Sequence, residues 1–433
     1  MILVCVRAVA SAARKGLSSS NFRKISAIPS KCCRVLGLIR CYSGDSSVSS
    51  TPLIYALSEK PNSLIKATLE AELEGNSAEF SWEALVTSLG SVSPQKVRLV
   101  LEWRLEKLLK VKERNSSCYS ELVSICGNIK NAPLAMQVFT SMEAVGMEPT
   151  SGTFNALIYA CLSSANLLTA LSLFEVMKRS SRDGYKPNAE TYNIFISAYA
   201  NLGDEKAMQA WHSARKDAGF SDDVHTYESL ICGFFKSKNF DGVDRFYEEM
   251  LLSGITPNVP ILEKMLAGHC ERGSLVKAKE FLKFIVGGGW EFNQFMAEKL
   301  VRLYCNLGKL EEMEELLATL MESNQALEIL SLVHCGIIRM YAKLDRLDDV
   351  EYSVGRMLRQ RISFRSSEDV DKVISSYFRR AAYDRLELFL ECIRHSYKLV
   401  RSNYDLLAAG YRRAGISEKL DMVINDMKLA GFL

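Results

Sequence analysis

No apolar run in this 433-residue chain approaches the roughly 18–20 residues that cross a bilayer, so no membrane-spanning helix is expected. Histidine is scarce: only His212, His225, His269, His334 and His395 occur. None stands in an H-x-E or H-E-x-x-H context, and no Cys-x-x-Cys pair follows at zinc spacing. Gly287-Gly288-Gly289 lacks the Lys-Ser/Thr that completes a phosphate-binding loop, and reads as a turn before Trp290. Of twelve cysteines, four lie at or before Cys41. The other eight are scattered singly, as small buried side chains of a reducing compartment would be. The chain is therefore expected to be no enzyme, with no cofactor, no metal, no small-molecule substrate and no membrane partner.

Acid is missing from the first 44 residues, which carry Arg7, Arg14, Lys15, Arg23, Lys24, Lys31, Arg34 and Arg40 and much Ser and Ala. Met1–Lys15 can form an amphipathic helix. That is the composition of an organelle transit peptide, expected over 1–42. Arg40-Cys41-Tyr42-Ser43 resembles a mitochondrial processing pattern, which favours the mitochondrial matrix over the plastid. Without those eight cations, 46 basic residues face 51 acidic ones, a balance of −5. Bulk basicity then supports no nucleic-acid partner; cations would have to be concentrated locally.

What the sequence has in abundance is repetition. Residues 43–60 read as a Ser-rich linker within a 43–80 stretch of linker and short helices, with helices expected at Pro61–Glu74 and Ser81–Leu89. Pro94–Arg114 carries Val97, Val100, Leu101, Leu105, Leu108 and Leu109 at helical spacing, and 81–115 reads as a degenerate capping repeat. Nine repeats follow: 116–150, 151–188, 189–223, 224–258, 259–293, 294–328, 331–365, 366–400 and 401–433. Most are 35 residues long; 151–188 has an insertion in Arg179–Gly184. Cys118-Tyr119-Ser120, Thr153-Phe154-Asn155, Thr191-Tyr192-Asn193 and Thr226-Tyr227-Glu228 open successive repeats. Gly203, Gly273, Gly308 and Gly415 mark a turn halfway, and Pro149, Pro187 and Pro257 stand just before a repeat ends. Two short helices of this kind cannot bury an apolar stripe alone and must stack on copies of themselves, which gives an all-α solenoid.

TYNIFISAYANLGDEKA and TFNALIYACLSSANLLTALSLFEVM resemble the pentatricopeptide repeat family, in the subclass built only of 35-residue units. The tetratricopeptide repeat fits less well, because its Trp–Leu-Gly–Tyr signature is missing. The resemblance implies a right-handed α-solenoid superhelix that binds single-stranded organellar RNA, one base per repeat. It also implies which residues read the bases: the one after each opening aromatic, with the last of the repeat. These are Ser120 with Thr150, Asn155 with Asn188, Asn193 with Asp223, and Glu228 with Asn258. Glu263 with Asn293, Glu298 with Glu328, Cys335 with Arg365 and Val370 with Val400 follow, and Asp405 stands alone. Glu190, His225 and Pro260 replace the small apolar residue that clamps a base in the family.

Cations gather at two ends, Lys96–Arg114 and Arg356–Arg413, and Glu311, Glu312, Glu314 and Glu315 make the middle acidic. The ends could contact phosphates, or all could be solvated faces with ordinary pairs. The expected function is an RNA-binding adaptor acting by occupancy in mitochondrial transcript processing, stability, splicing or translation. The alternative is a structural protein of the mitochondrial ribosome, or one that contacts other RNA-processing proteins.

Overall fold

A computed structural model describes residues 51–73, 81–111, 115–322 and 326–432; the leader expected over 1–42 lies outside them. Among the described residues the chain is all-α, as the sequence predicts, with twenty-two α-helices in two compact blocks divided after Asp222. The first block holds α1 (Thr51–Glu59), α2 (Ile65–Leu73), α3 (Trp82–Val92), α4 (Pro94–Val111), α5 (Ser116–Asn128), α6 (Ala132–Ala144), α7 (Ser151–Ser163), α8 (Leu167–Arg179), α9 (Ala189–Leu202) and α10 (Glu205–Asp217). The second holds α11 (Val224–Lys236), α12 (Phe240–Leu252), α13 (Val259–Glu271), α14 (Leu275–Gly287), α15 (Gln294–Leu307), α16 (Leu310–Glu322), α17 (Leu327–Lys343), α18 (Leu347–Arg359), α19 (Ser367–Arg379), α20 (Tyr383–Ile393), α21 (Arg401–Ala414) and α22 (Ser417–Leu429).

Each odd-numbered helix packs on the even-numbered one after it, and in the second block also on the next odd-numbered one. This is a stack of helix pairs, in which each pair buries the apolar stripe of its neighbour. The stack starts earlier than the Ser-rich composition of 43–60 suggests. Thr51–Glu59 is a helix, not a linker, because Leu53 and Leu57 form an i,i+4 stripe buried with Ile65, Leu69 and Leu85. Lys96 Nζ then donates to the carbonyls of Leu57 and Ser58 at 3.0 and 2.6 Å.

Helix starts follow from capping. Asn115, Thr150, Asn188, Asp223, Asn258 and Asn293 each accept a backbone N–H with the side chain at the start of an odd-numbered helix. At Thr150, Asn188 and Asp223 the opening threonine returns the bond, its hydroxyl accepting the N-cap N–H. Thr153, Thr191 and Thr226 are fully buried, so the capping box is built into the core.

The halfway turn is left-handed in all nine repeats. Gly203 has φ 71°, but Lys130, Ala165, Lys238, Asp345 and Ala381 hold φ between 51° and 61° with a side chain in place. These residues fix the register independently of the openings. The step from Asp345 to Ala381 is 36 residues and that to Gly415 is 34, so α19 begins at Ser367 where the sequence reading has 366. The two residues between 328 and 331 are not a loop either: α17 starts at Leu327 and absorbs them. The insertion near Arg179–Gly184 forms a 3-10 turn, Asp183–Tyr185, pinned by Tyr185 packing 5.9 Å from Phe154.

Candidate nucleic-acid interface

In the first five repeats the residue after the opening aromatic is the fifth of an odd-numbered helix, one turn in, and the last residue of the repeat caps the next odd-numbered helix. In several repeats the two side chains meet. Asn155 Nδ2 donates to Asn188 Oδ1 at 3.1 Å and to Glu190 Oε2 at 2.9 Å, while Asn155 Oδ1 accepts from the Thr191 hydroxyl at 2.7 Å. Asn155 is 1% exposed, so the unliganded repeat holds it in a closed network. Ser120 Oγ lies 2.9 Å from Thr153 Oγ1, beside the Thr150 cap. Asn258 Nδ2 donates to Glu228 Oε2 at 2.7 Å, and Asn293 Nδ2 to Glu263 Oε1 at 2.6 Å. Asn193 is half-buried on α9, and Asp223 caps α11 at the start of the second block.

Beyond the fifth repeat the pairing changes. Glu298 accepts from Gln294 on its own helix, and Glu328 stands inside α17 and pairs with Arg365 at 3.0 Å. Cys335 is buried, and burial pushes its thiol up to about 12. Val370 is fully buried; the one-residue shift of α19 puts Asp371 at the equivalent place, where it accepts from Asn403 Nδ2 at 2.6 Å. Asp371 lies outside the sequence-predicted pairs because the fixed 35-residue period starts this repeat at Ser366, whereas Ser366 is the cap and the helix starts at Ser367. The spacing of the left-handed turns carried the correct register.

A second feature went unnoticed in the sequence. Phe295, one residue into α15, has Lys264 Nζ 4.5 Å from its ring centroid and Lys299 Nζ at 5.4 Å. At the corresponding place in the third repeat stands Glu190, already bonded to Asn155, and in the fourth stands exposed His225.

Most cations at the two ends are engaged with neighbours. In α4, Arg98 pairs with Glu102 at 2.7 Å, and buried Arg104 bonds Glu121 at 2.7 Å with its guanidinium 4.3 Å over Trp82. In the second block Arg356 bonds Glu314 through both nitrogens at 2.8 and 3.1 Å, and Arg379 bonds Asp345 at 2.7 Å. Arg359, Arg361, Arg380, Arg412 and Arg413 stay exposed. The acidic run of α16 joins adjacent helices: Glu315 holds Lys279 at 2.7 Å and Glu314 holds Arg356.

The titratable groups are packed rather than poised. Burial raises Cys126, Cys161 and Cys270 to about 12 and holds His269 and His334 below their ordinary value. His212 Nε2 lies 2.9 Å from Asp222 Oδ2, with Arg215 and Lys216 each 3.4 Å from that carboxylate. Burial pushes Asp222 up, but His212 and Lys216 outweigh it and leave the carboxyl below its usual range. The cations around this pair oppose a metal ion there.

The fold defines a class, the all-α solenoid built of repeated helix pairs. The PPR repeat family matches residues 149–201, the pentatricopeptide repeat domain 113–164, and the PPR repeat 225–255 and 299–324. The chain is a pentatricopeptide repeat protein. It is 36% identical over 98 residues to the chloroplastic pentatricopeptide repeat-containing protein PPR5 homolog of Oryza sativa subsp. japonica, covering 22% of this chain and 19% of that one. It is 27% identical over 147 residues to a small ribosomal subunit protein of Arabidopsis thaliana, covering 34% of each. The crystal structure of the pentatricopeptide repeat protein PPR10 with an 18-nt psaJ RNA element covers 87% of this chain and 54% of that one, with 18% identity and a TM-score of 0.49. The aligned stretches span about a fifth to a third of these curated relatives.

Proposed function

We propose that the protein is an organellar adaptor that occupies single-stranded RNA and acts in mitochondrial transcript processing, stability, splicing or translation without catalysis. The observation that carries this reading is the meeting of an amide or carboxylate one turn into a helix with the cap of the next odd-numbered helix, seen for Asn155 with Asn188 and for Glu228 with Asn258. Side chains so placed present donors and acceptors at one end of each helix pair, as base recognition requires. Ser120 with Thr150 serves the same purpose in its repeat, and Asn193 on α9 and Asp223 at the cap of α11 each hold the corresponding position within their own block. The leader composition supports the mitochondrion.

Crosslinking in isolated mitochondria followed by sequencing of bound RNA tests the reading. A discrete transcript segment is expected. In vitro, Asn193→Ala keeps the Asp223 cap and should weaken RNA binding about tenfold, and Asn193→Ala with Asp223→Ala should weaken it further. Unchanged affinity in both variants sinks base reading by that repeat.

A second reading, a scaffold within a ribosome, is favoured by the ion pairs that engage Arg104, Arg356 and Arg379 and by the likeness to a small ribosomal subunit protein. Recovery of ribosomal RNA alone, with co-sedimentation on ribosomes, decides for it.

A further inference from the structure

The second, fourth and fifth repeats share an arrangement that family membership does not supply: a carboxylate set against the amide of the reading pair. Asn155 Nδ2 donates to Glu190 Oε2, Asn258 Nδ2 to Glu228 Oε2, and Asn293 Nδ2 to Glu263 Oε1, at 2.9, 2.7 and 2.6 Å. In each, the amide carbonyl is spent elsewhere. Asn155 Oδ1 accepts from the Thr191 hydroxyl, and Asn258 and Asn293 Oδ1 cap Ile261 and Met296. The amides therefore cannot turn their oxygens outward without breaking a bond to the fold. What remains for a ligand is the carboxylate, which when ionised only accepts hydrogen bonds; both hydrogens of Asn155 are already given to Asn188 and Glu190.

Adenine, cytosine and guanine all carry an exocyclic amino group that can donate to such a carboxylate. Uracil does not, and its single ring N–H lies between two carbonyl oxygens that a carboxylate repels. A site built around an acceptor rejects the analogue that lacks the donor, because its own polar group is left unpaired. We propose that the second, fourth and fifth repeats select bases bearing an exocyclic amino group and exclude uracil. This rests on the RNA-occupancy reading above. A basic peptide is the other occupant a carboxylate would take, but Lys264 Nζ lies 3.6 Å from Glu263, and Lys264 and Lys299 both flank Phe295, which disfavours it.

The test uses the full chain and labelled oligoadenylate, oligocytidylate and oligouridylate of equal length, followed by fluorescence anisotropy. Oligouridylate should bind at least about tenfold more weakly than the other two. The E190Q/E228Q/E263Q variant should narrow that gap by strengthening oligouridylate, since a Gln amide can donate to a uracil carbonyl. Equal affinity of the wild-type chain for all three RNAs overturns the inference, whatever the variant does, and leaves RNA occupancy standing. A folded variant that keeps the full gap also overturns it. Failure of all three RNAs, with or without capture of oligolysine in their place, overturns RNA occupancy and this inference together.

Discussion

Ala165 holds φ 59° at a turn where four other repeats place glycine, and an L-residue in that conformation pays a steric cost between its Cβ and the following carbonyl. Ala165→Gly should therefore raise stability by about 1 kcal/mol, read from chemical denaturation; a loss would show that the turn is not strained. His269 and His334 make the opposite kind of statement. Burial holds both imidazoles below 6.5, so the unfolded chain binds protons that the folded chain refuses. Their stabilisation is complete above about pH 6.5 and shrinks as pH falls through that value. The melting temperature should drop between about pH 7.5 and about pH 5.5, and His334→Gln should lessen the drop. An identical drop in that variant would remove His334 from the account.

At the scale of helices, the even-numbered members of the second block are joined by a ladder of charge. Lys279 of α14 meets Glu315 of α16, Glu314 meets Arg356 of α18, Glu351 meets Arg385 of α20, and Asp384 and Glu387 meet Lys419 of α22. Single exposed pairs contribute little, but the half-buried bidentate Arg356–Glu314 pair should matter more. Arg356→Ala should cost about 1 kcal/mol, less in high salt. The α11–α12 hairpin depends on close approach at Gly242, where an added Cβ would run into the buried Phe234 ring. Gly242→Ala should cost about 1–3 kcal/mol despite the better helix propensity of alanine; a neutral result would mean the ring can move.

These elements also show what a sequence can and cannot tell. The helix pairs were legible because openings, turns and apolar stripes all repeat together. The helix at Thr51–Glu59 was hidden by flanking serines, and Asp371 by a one-residue change of spacing that only the backbone turn at Ala381 resolves. The acidic run of α16 read as a solvated face, because its partners lie 36 and 42 residues away on other helices. The candidate reading residues were visible as positions, while their mutual bonds, which decide what edge they present, were not.

At the scale of the molecule, exposed arginines of the second block set the salt dependence expected of RNA binding. If the exposed Arg359, Arg361, Arg380, Arg412 and Arg413 all contact phosphates, log affinity should fall with log salt at a slope no steeper than about −3.5. Arg412→Ala with Arg413→Ala should flatten it by about 1.4, and an unchanged slope would place the phosphates elsewhere. The position that ends each repeat carries a further constraint. Its side chain must close the next helix before it can address anything else, and only a few short polar residues do so. If bases are read there, the code has a four-letter alphabet of Asn, Asp, Ser and Thr. Val400, which caps α21 with no side-chain bond, is a blank in that text.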